Sequence, residues 1–187
     1  MFIKRIISIV IVTIISFTLC GASVSALKVP ETNTNVHLYM DYEAITNRES
    51  NQYKLEKFCY TDPNGIRCYL DENGNIYYLV ALAPYYGTDI GTTYDVTLDN
   101  GSSFKVMLGD CKDPSDTTND YGRSCWNFIT KKTCTNVLEF IVDEDYLPNK
   151  VLNWGTLTAI DYFNGNIETI EETGRVWSPE QNYTYYC

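Results

Sequence analysis

Apolar and polar positions alternate along residues 93–98, where Tyr94, Val96 and Leu98 share one face. They alternate again along residues 103–108, where Phe104, Val106 and Leu108 do the same. Asn100-Gly101 lies between the two runs, the strongest short-range signal of a β-hairpin. Upstream, Asp62-Pro63-Asn64-Gly65 separates residues 57–60 from residues 66–70. Asp71-Glu72-Asn73-Gly74 then leads into the Tyr- and Val-rich residues 75–83. Turn residues between strand-forming runs predict a three-stranded meander. Residues 137–142 predict a buried strand and residues 154–162 another. Beyond one helical turn near residues 42–46, no segment carries a helical period. Short strands at close spacing predict an all-β barrel or sandwich.

The first 26 residues follow a different pattern. Lys4 and Arg5 precede an uncharged apolar run over residues 6–19, and Ser23-Val24-Ser25-Ala26 supplies small residues after it. This layout predicts a secretory signal cleaved after Ala26. The apolar run is short for a membrane span of about 20 residues, and Phe17-Thr18-Leu19 before Cys20 lacks the small residue that lipid attachment prefers. The expected product is extracellular or held in the cell envelope, with no membrane association after cleavage. It would comprise a polar arm over 27–55 and a single domain over 56–187, with a barrel core at about 78–162.

Composition narrows the chemistry. With 44% hydrophobic and 20% charged residues the chain is built to fold. Its 24 acidic against 14 basic residues give a net charge of −10, which repels nucleic-acid backbones. A single histidine, His37, in a polar stretch, excludes a multi-histidine metal centre and leaves a cysteine nucleophile without an evident base. There is no GxxxxGK phosphate loop and no CxxC pair. No metal and no cofactor are therefore expected. The acidic stretch 113–120 lacks the spacing and glycine of a calcium loop.

Six cysteines remain after Cys20 leaves with the signal: Cys59, Cys68, Cys111, Cys125, Cys134 and Cys187. In an exported chain they predict up to three disulfides. If residues 62–65 form a four-residue loop, Cys59 falls opposite Cys68, within disulfide reach. The other four allow three pairings, with Cys111–Cys134 preferred. Tyr85 and Tyr86, just after Pro84, suit a sugar-binding platform or a packing role. Trp126, Trp154 and Trp177 read as core or interface residues. Asn182-Tyr183-Thr184 matches a glycosylation acceptor.

The order of motifs from Tyr78 to Gly155 carries a resemblance. Val80-Ala81-Leu82-Ala83-Pro84 is followed by Ile90-Gly91-Thr92, Tyr94-Asp95-Val96, Asn100-Gly101 and Phe104-Lys105-Val106-Met107-Leu108-Gly109-Asp110, and later by Leu138-Glu139-Phe140-Ile141-Val142. This series resembles the three-aspartate domain of lytic transglycosylases and secreted cell-wall proteins. The resemblance implies a six-stranded double-psi β-barrel, with Asp110 on the first family aspartate. It implies that Glu139 replaces the catalytic aspartate, with Asp143 near a third. Cys111-Lys112 departs from the family's small residue and glycine, and the loop after it is longer than the family's.

On the residues alone, Glu139 sits in an apolar run and points away from Leu138 and Phe140. Desolvation and a nearby carboxylate would raise its pKa, as protonation of a glycosidic oxygen requires. The implied activity is that of a peptidoglycan lytic transglycosylase, with Glu139 as general acid/base, Asp110 assisting, and Tyr85, Tyr86 and Lys112 binding substrate. The alternative is a non-catalytic exported module whose partner is cell-wall glycan or another protein.

Overall fold

The computed structural model describes residues 27–28, 35–118, 122–127 and 132–180. The expected signal segment, Asn182 and Cys187 lie outside the described residues, as do the side chains of Cys125, Trp126 and Cys134.

Strands β1 (Leu27–Lys28), β2 (Tyr39–Asp41), β3 (Tyr60–Thr61), β4 (Arg67–Leu70), β5 (Ile76–Leu82), β6 (Thr92–Leu98) and β7 (Ser103–Cys111) precede a separate hairpin of β8 (Ser124–Asn127) and β9 (Lys132–Asn136). Strands β10 (Glu139–Val142) and β11 (Ile167–Arg175) complete the main sheet. Its order is β1-β11-β6-β7-β5-β10-β2, with β3 and β4 added beside β5. The pairs β5–β7 and β2–β10 are parallel and the others antiparallel. The chain is thus broadly all-β, with a mixed sheet. That sheet runs from edge to edge and does not close on itself.

The hairpin signal at Asn100-Gly101 is realised. Leu98 N donates to Ser102 O and Gly101 N to Leu98 O, and β6 meets β7 with Thr97 opposite Ser103. The alternating residues Tyr94, Val96, Leu98, Phe104, Val106 and Leu108 are all buried. Each such side chain contributes about 1.5–3 kcal/mol by leaving water. The meander β3–β4–β5 also forms.

Other expectations are corrected. Residues 154–162 are not a strand. Helix α2 (Asn149–Trp154) ends there on Gly155 at φ +67°, and two 3-10 turns follow, Leu157–Ala159 and Asp161–Phe163. The described residues of the region 27–55, read as a polar arm, are tied to the rest of the fold. β1 and β2 join the sheet, and helix α1 (Asn51–Glu56), capped by Ser50 accepting from Tyr53 N, packs near β7. The helical turn near 42–46 is a 3-10 turn at Tyr42–Ala44. His37 is fully buried. Trp177 is buried but Trp154 is exposed.

On one side of the sheet, Tyr78, Phe104, Phe140 and Phe163 pack edge-on and tilted, with centroids 4.8–6.3 Å apart. The opposite side holds Leu79, Ala81 and Ile141, which are equally buried. β7 carries a bulge there: Val80 pairs with Leu108 but Ala81 pairs with Asp110, leaving Gly109 as the extra residue. A Cβ on Gly109 would lie 2.7 Å from Ile141 Cδ1, so a larger residue there would push the Ile141 side chain aside.

Candidate functional site

Glu139 is the first residue of β10 and Asp110 the last but one of β7. The two strands are not neighbours; β5 runs between them. Ala81 of β5 pairs with Glu139 on one side and with Asp110 on the other. Residues in one cross-strand row project to the same face. The bulge at Gly109 is what brings Asp110, rather than Gly109 itself, into that row.

The two carboxyl groups differ in environment. Glu139 is largely buried, and desolvation raises its pKa above the usual carboxylate range. The Lys112 ammonium opposes that shift and the Asp110 carboxylate adds to it. Asp110 is half-buried and held by neighbours. Its Oδ1 accepts from the Cys111 backbone N at 2.8 Å and from Gln52 Nε2 at 3.2 Å. Asp110 lines a hollow of about 250 Å³ with Met40, Asn47, Ser50 and Gln52. Glu139 does not line that hollow.

Lys112 was expected to bind substrate. It is instead buried, with 7% of its surface exposed. Its Nζ donates to Ser124 Oγ at 3.0 Å and to Asn136 O at 3.2 Å. Burial pulls its pKa down to about 8, against the raising effect of Glu139. Asn136 Nδ2 donates to Ser124 Oγ at 2.8 Å, and Asn136 Oδ1 accepts from Leu38 N at 3.1 Å. Lys112 thus fastens the β8–β9 hairpin to the end of β7 and places a cation beside Glu139. Asp113 caps a 3-10 turn at Pro114–Asp116.

The aromatic pair divides. Tyr86 is buried in the core, where its carbonyl accepts from the Tyr94 hydroxyl at 2.7 Å. A ring with no exposed face offers nothing to a substrate, which corrects the platform reading for Tyr86. Tyr85 stands edge-on to it at 5.0 Å and is half exposed.

The disulfide expectations also change. Asp62 Oδ1 accepts from both Asn64 N and Ile66 N. This lengthens the turn by one residue, so Tyr60, not Cys59, faces Cys68. Cys59 and Cys68 are free thiols. Cys111 is also a free thiol, which removes the preferred Cys111–Cys134 pairing; the backbone of Cys134 is opposite that of Cys125.

Gln52, Ser124 and Asn136 escaped the sequence reading. The Ser50 cap was the only local signal that pointed toward Gln52. Nothing local marks Ser124 or Asn136, which reach Lys112 through pairing of β8 with β9.

Among the described residues, no helix is long and apolar enough to cross a membrane and no group of His, Cys, Asp and Glu is placed to hold a metal. No family model, curated protein or solved structure matches the chain. The class is defined by the molecule itself: an all-β protein with an open mixed sheet, carrying two carboxylates on one cross-strand row beside a buried lysine.

Proposed function

We propose that this is an exported protein acting on peptidoglycan in the manner of lytic transglycosylases, with Glu139 as the general acid/base and Asp110 assisting it. The observation that carries the reading is the row Glu139–Ala81–Asp110, which sets a carboxyl whose pKa burial raises on the same face as a second carboxylate. In the proposed reaction the Glu139 carboxyl gives its proton to the bridging glycosidic oxygen. As that bond breaks, the carboxylate takes the proton of the sugar's own 6-hydroxyl, whose oxygen closes the anhydro ring. Asp110, oriented by Gln52 and the Cys111 amide, would set substrate position and favour the protonated form of Glu139.

The finer architecture belongs to the same proposal. β7 lies between β5 and β6, which run antiparallel to one another, one psi arrangement of the kind that a double-psi barrel contains twice. Export rests on the basic, apolar and small-residue order of residues 1–26.

The test is digestion of peptidoglycan by the purified protein. Release of 1,6-anhydro muropeptides, read by mass spectrometry, is the expected result, and Glu139→Gln should slow it on the order of 10²-fold or more. Asp110→Asn should shift the pH profile of the reaction. Absence of anhydro product on both intact sacculi and short glycan strands, with binding to wall material retained in both variants, would replace the enzyme with a binding module. That alternative draws its support from the prior engagement of Asp110 by Gln52.

A further inference from the structure

A second hollow, of about 500 Å³, lies next to the one at Asp110. Ile45 and Thr46, in the chain segment between β2 and α1, border both. Its volume falls in the range of about 300–1,000 Å³ typical of small-ligand sites, which the Asp110 hollow alone does not reach.

The charges around it are unevenly committed. Glu56 is buried and engaged by Arg67, whose Nε donates to Oε2 at 2.9 Å. The same guanidinium covers the Tyr42 ring at 4.6 Å. Glu56 and Tyr42 are therefore already occupied from within. The remaining charged side chains around the hollow are Glu43, Arg48 and Lys57, all exposed. Lys57 Nζ sits 5.0 Å from the centroid of the Tyr53 ring, which holds the cation at the hollow. With Glu56 held by Arg67, the uncommitted charges lining the hollow are two cations, Arg48 and Lys57, and one anion, Glu43, with an aromatic ring at its side, on a chain of net charge −10.

We propose that this hollow is an outlying subsite that receives the carboxylate-bearing peptide substituent of the glycan, with Arg48 and Lys57 as its cations and Tyr53 as a sugar- or peptide-stacking surface. The inference rests on the peptidoglycan reading and gives it a substrate preference: glycan that still carries its peptide stems, over a neutral N-acetylglucosamine polymer that carries none. It also gives the segment between β2 and α1 a recognition role outside the part of the chain that resembles the barrel family. An acidic protein has no general attraction to an anionic wall, and a local pair of cations supplies the attraction where the substituent lies.

Calorimetric titration of the Glu139→Gln protein, which leaves the ligand intact, tests this with two probes. One is a chitin oligosaccharide, neutral and uniform; the other is a glycan strand of equal length bearing peptide stems. The peptide-bearing strand should bind ~10-fold tighter at low salt, the scale of two exposed charge contacts, and the gap should narrow in high salt. Arg48→Ala with Lys57→Ala should abolish the gap while leaving chitin affinity unchanged. Both residues are exposed, so the fold should survive, and a matching thermal transition checks it. Equal binding of the two probes, or a gap that survives the double substitution, overturns the subsite and leaves the proposed activity standing. Failure of both probes to bind overturns the subsite together with the peptidoglycan reading.

Discussion

Lys112 reaches Ser124 across the join between β7 and the β8–β9 hairpin, with Nζ 3.0 Å from Oγ. The two acceptors of this ammonium, Ser124 Oγ and the Asn136 carbonyl oxygen, are neutral. Its charge is therefore felt at Glu139, where it opposes the effect of burial. Lys112→Met removes that opposition, so the Glu139 carboxyl should titrate at higher pH than in the parent protein. Carboxyl carbon NMR across the acidic range reads the shift directly. An unchanged or lower Glu139 midpoint would contradict the coupling.

His37 gives a pH dependence of stability. Burial lowers its pKa from 6.5 to about 4, against a hydrogen bond between Nε2 and Gly165 O at 3.2 Å. The unfolded chain then takes up the proton first. The contribution of His37 is complete above pH about 6.5, falls as pH drops through that window and has gone by about pH 4. A shift of this size corresponds to a loss of about 3 kcal/mol. Urea unfolding at pH 7 and pH 4.5 should show most of it, and His37→Gln should show a smaller difference between the two. Equal pH sensitivity in both proteins would assign the effect to other groups.

The free thiols should be slow to react. Burial pushes Cys68 up to about 12 and Cys59 beyond the usual thiol range. Only the thiolate is nucleophilic, so at pH 8 both should resist iodoacetamide until the protein is unfolded. Mass spectrometry of peptides labelled before and after denaturation separates the two outcomes. A Cys59–Cys68 disulfide in the native protein, or rapid labelling of either thiol, would run against the structure.

Arg67 should be costly to lose. Beyond its 2.9 Å bond to Glu56, it donates from Nη1 to Thr61 Oγ1 and from Nη2 to the carbonyls of Glu56 and Cys59. Arg67→Ala strands a buried carboxylate and should destabilise by about 3–5 kcal/mol. Arg67→Ala combined with Glu56→Gln should recover part of that loss in denaturant unfolding, because no uncompensated charge then remains. A double variant less stable than the single one would rule out stranded charge as the cause.

The parts of the fold legible in the sequence were those that local chemistry decides. Asn100-Gly101 forces a tight turn, and the alternation on both sides fixes which residues of β6 and β7 are buried. β11 was illegible because only Ile167 and Ile170 of its nine residues are buried apolar side chains; backbone pairing with β6 holds the rest. Residues 154–162 carry strand-forming residues, but Gly155 in the left-handed region ends a helix there and Thr156 caps the next turn. The Cys59 register failed by one residue because the Asp62 side chain satisfies two backbone amides and widens the loop. At the site, Asp110 could be picked out as a carboxylate after an apolar strand and Glu139 as a carboxylate inside an apolar run. The order of strands could not, and it is that order that inserts Ala81 between them.

Leu27 pairs with Ile170 and Tyr39 with Phe140, so the edge strands β1 and β2 at opposite ends of the sheet are each secured by residues more than a hundred positions away. Such closures carry a large loop entropy and slow the approach to the native state. Neither edge strand has its partner until the late part of the chain has been synthesised. The sheet therefore gains both of its outer edges only after β10 and β11 have been made, and the strands that come first in the chain are the last to be fixed.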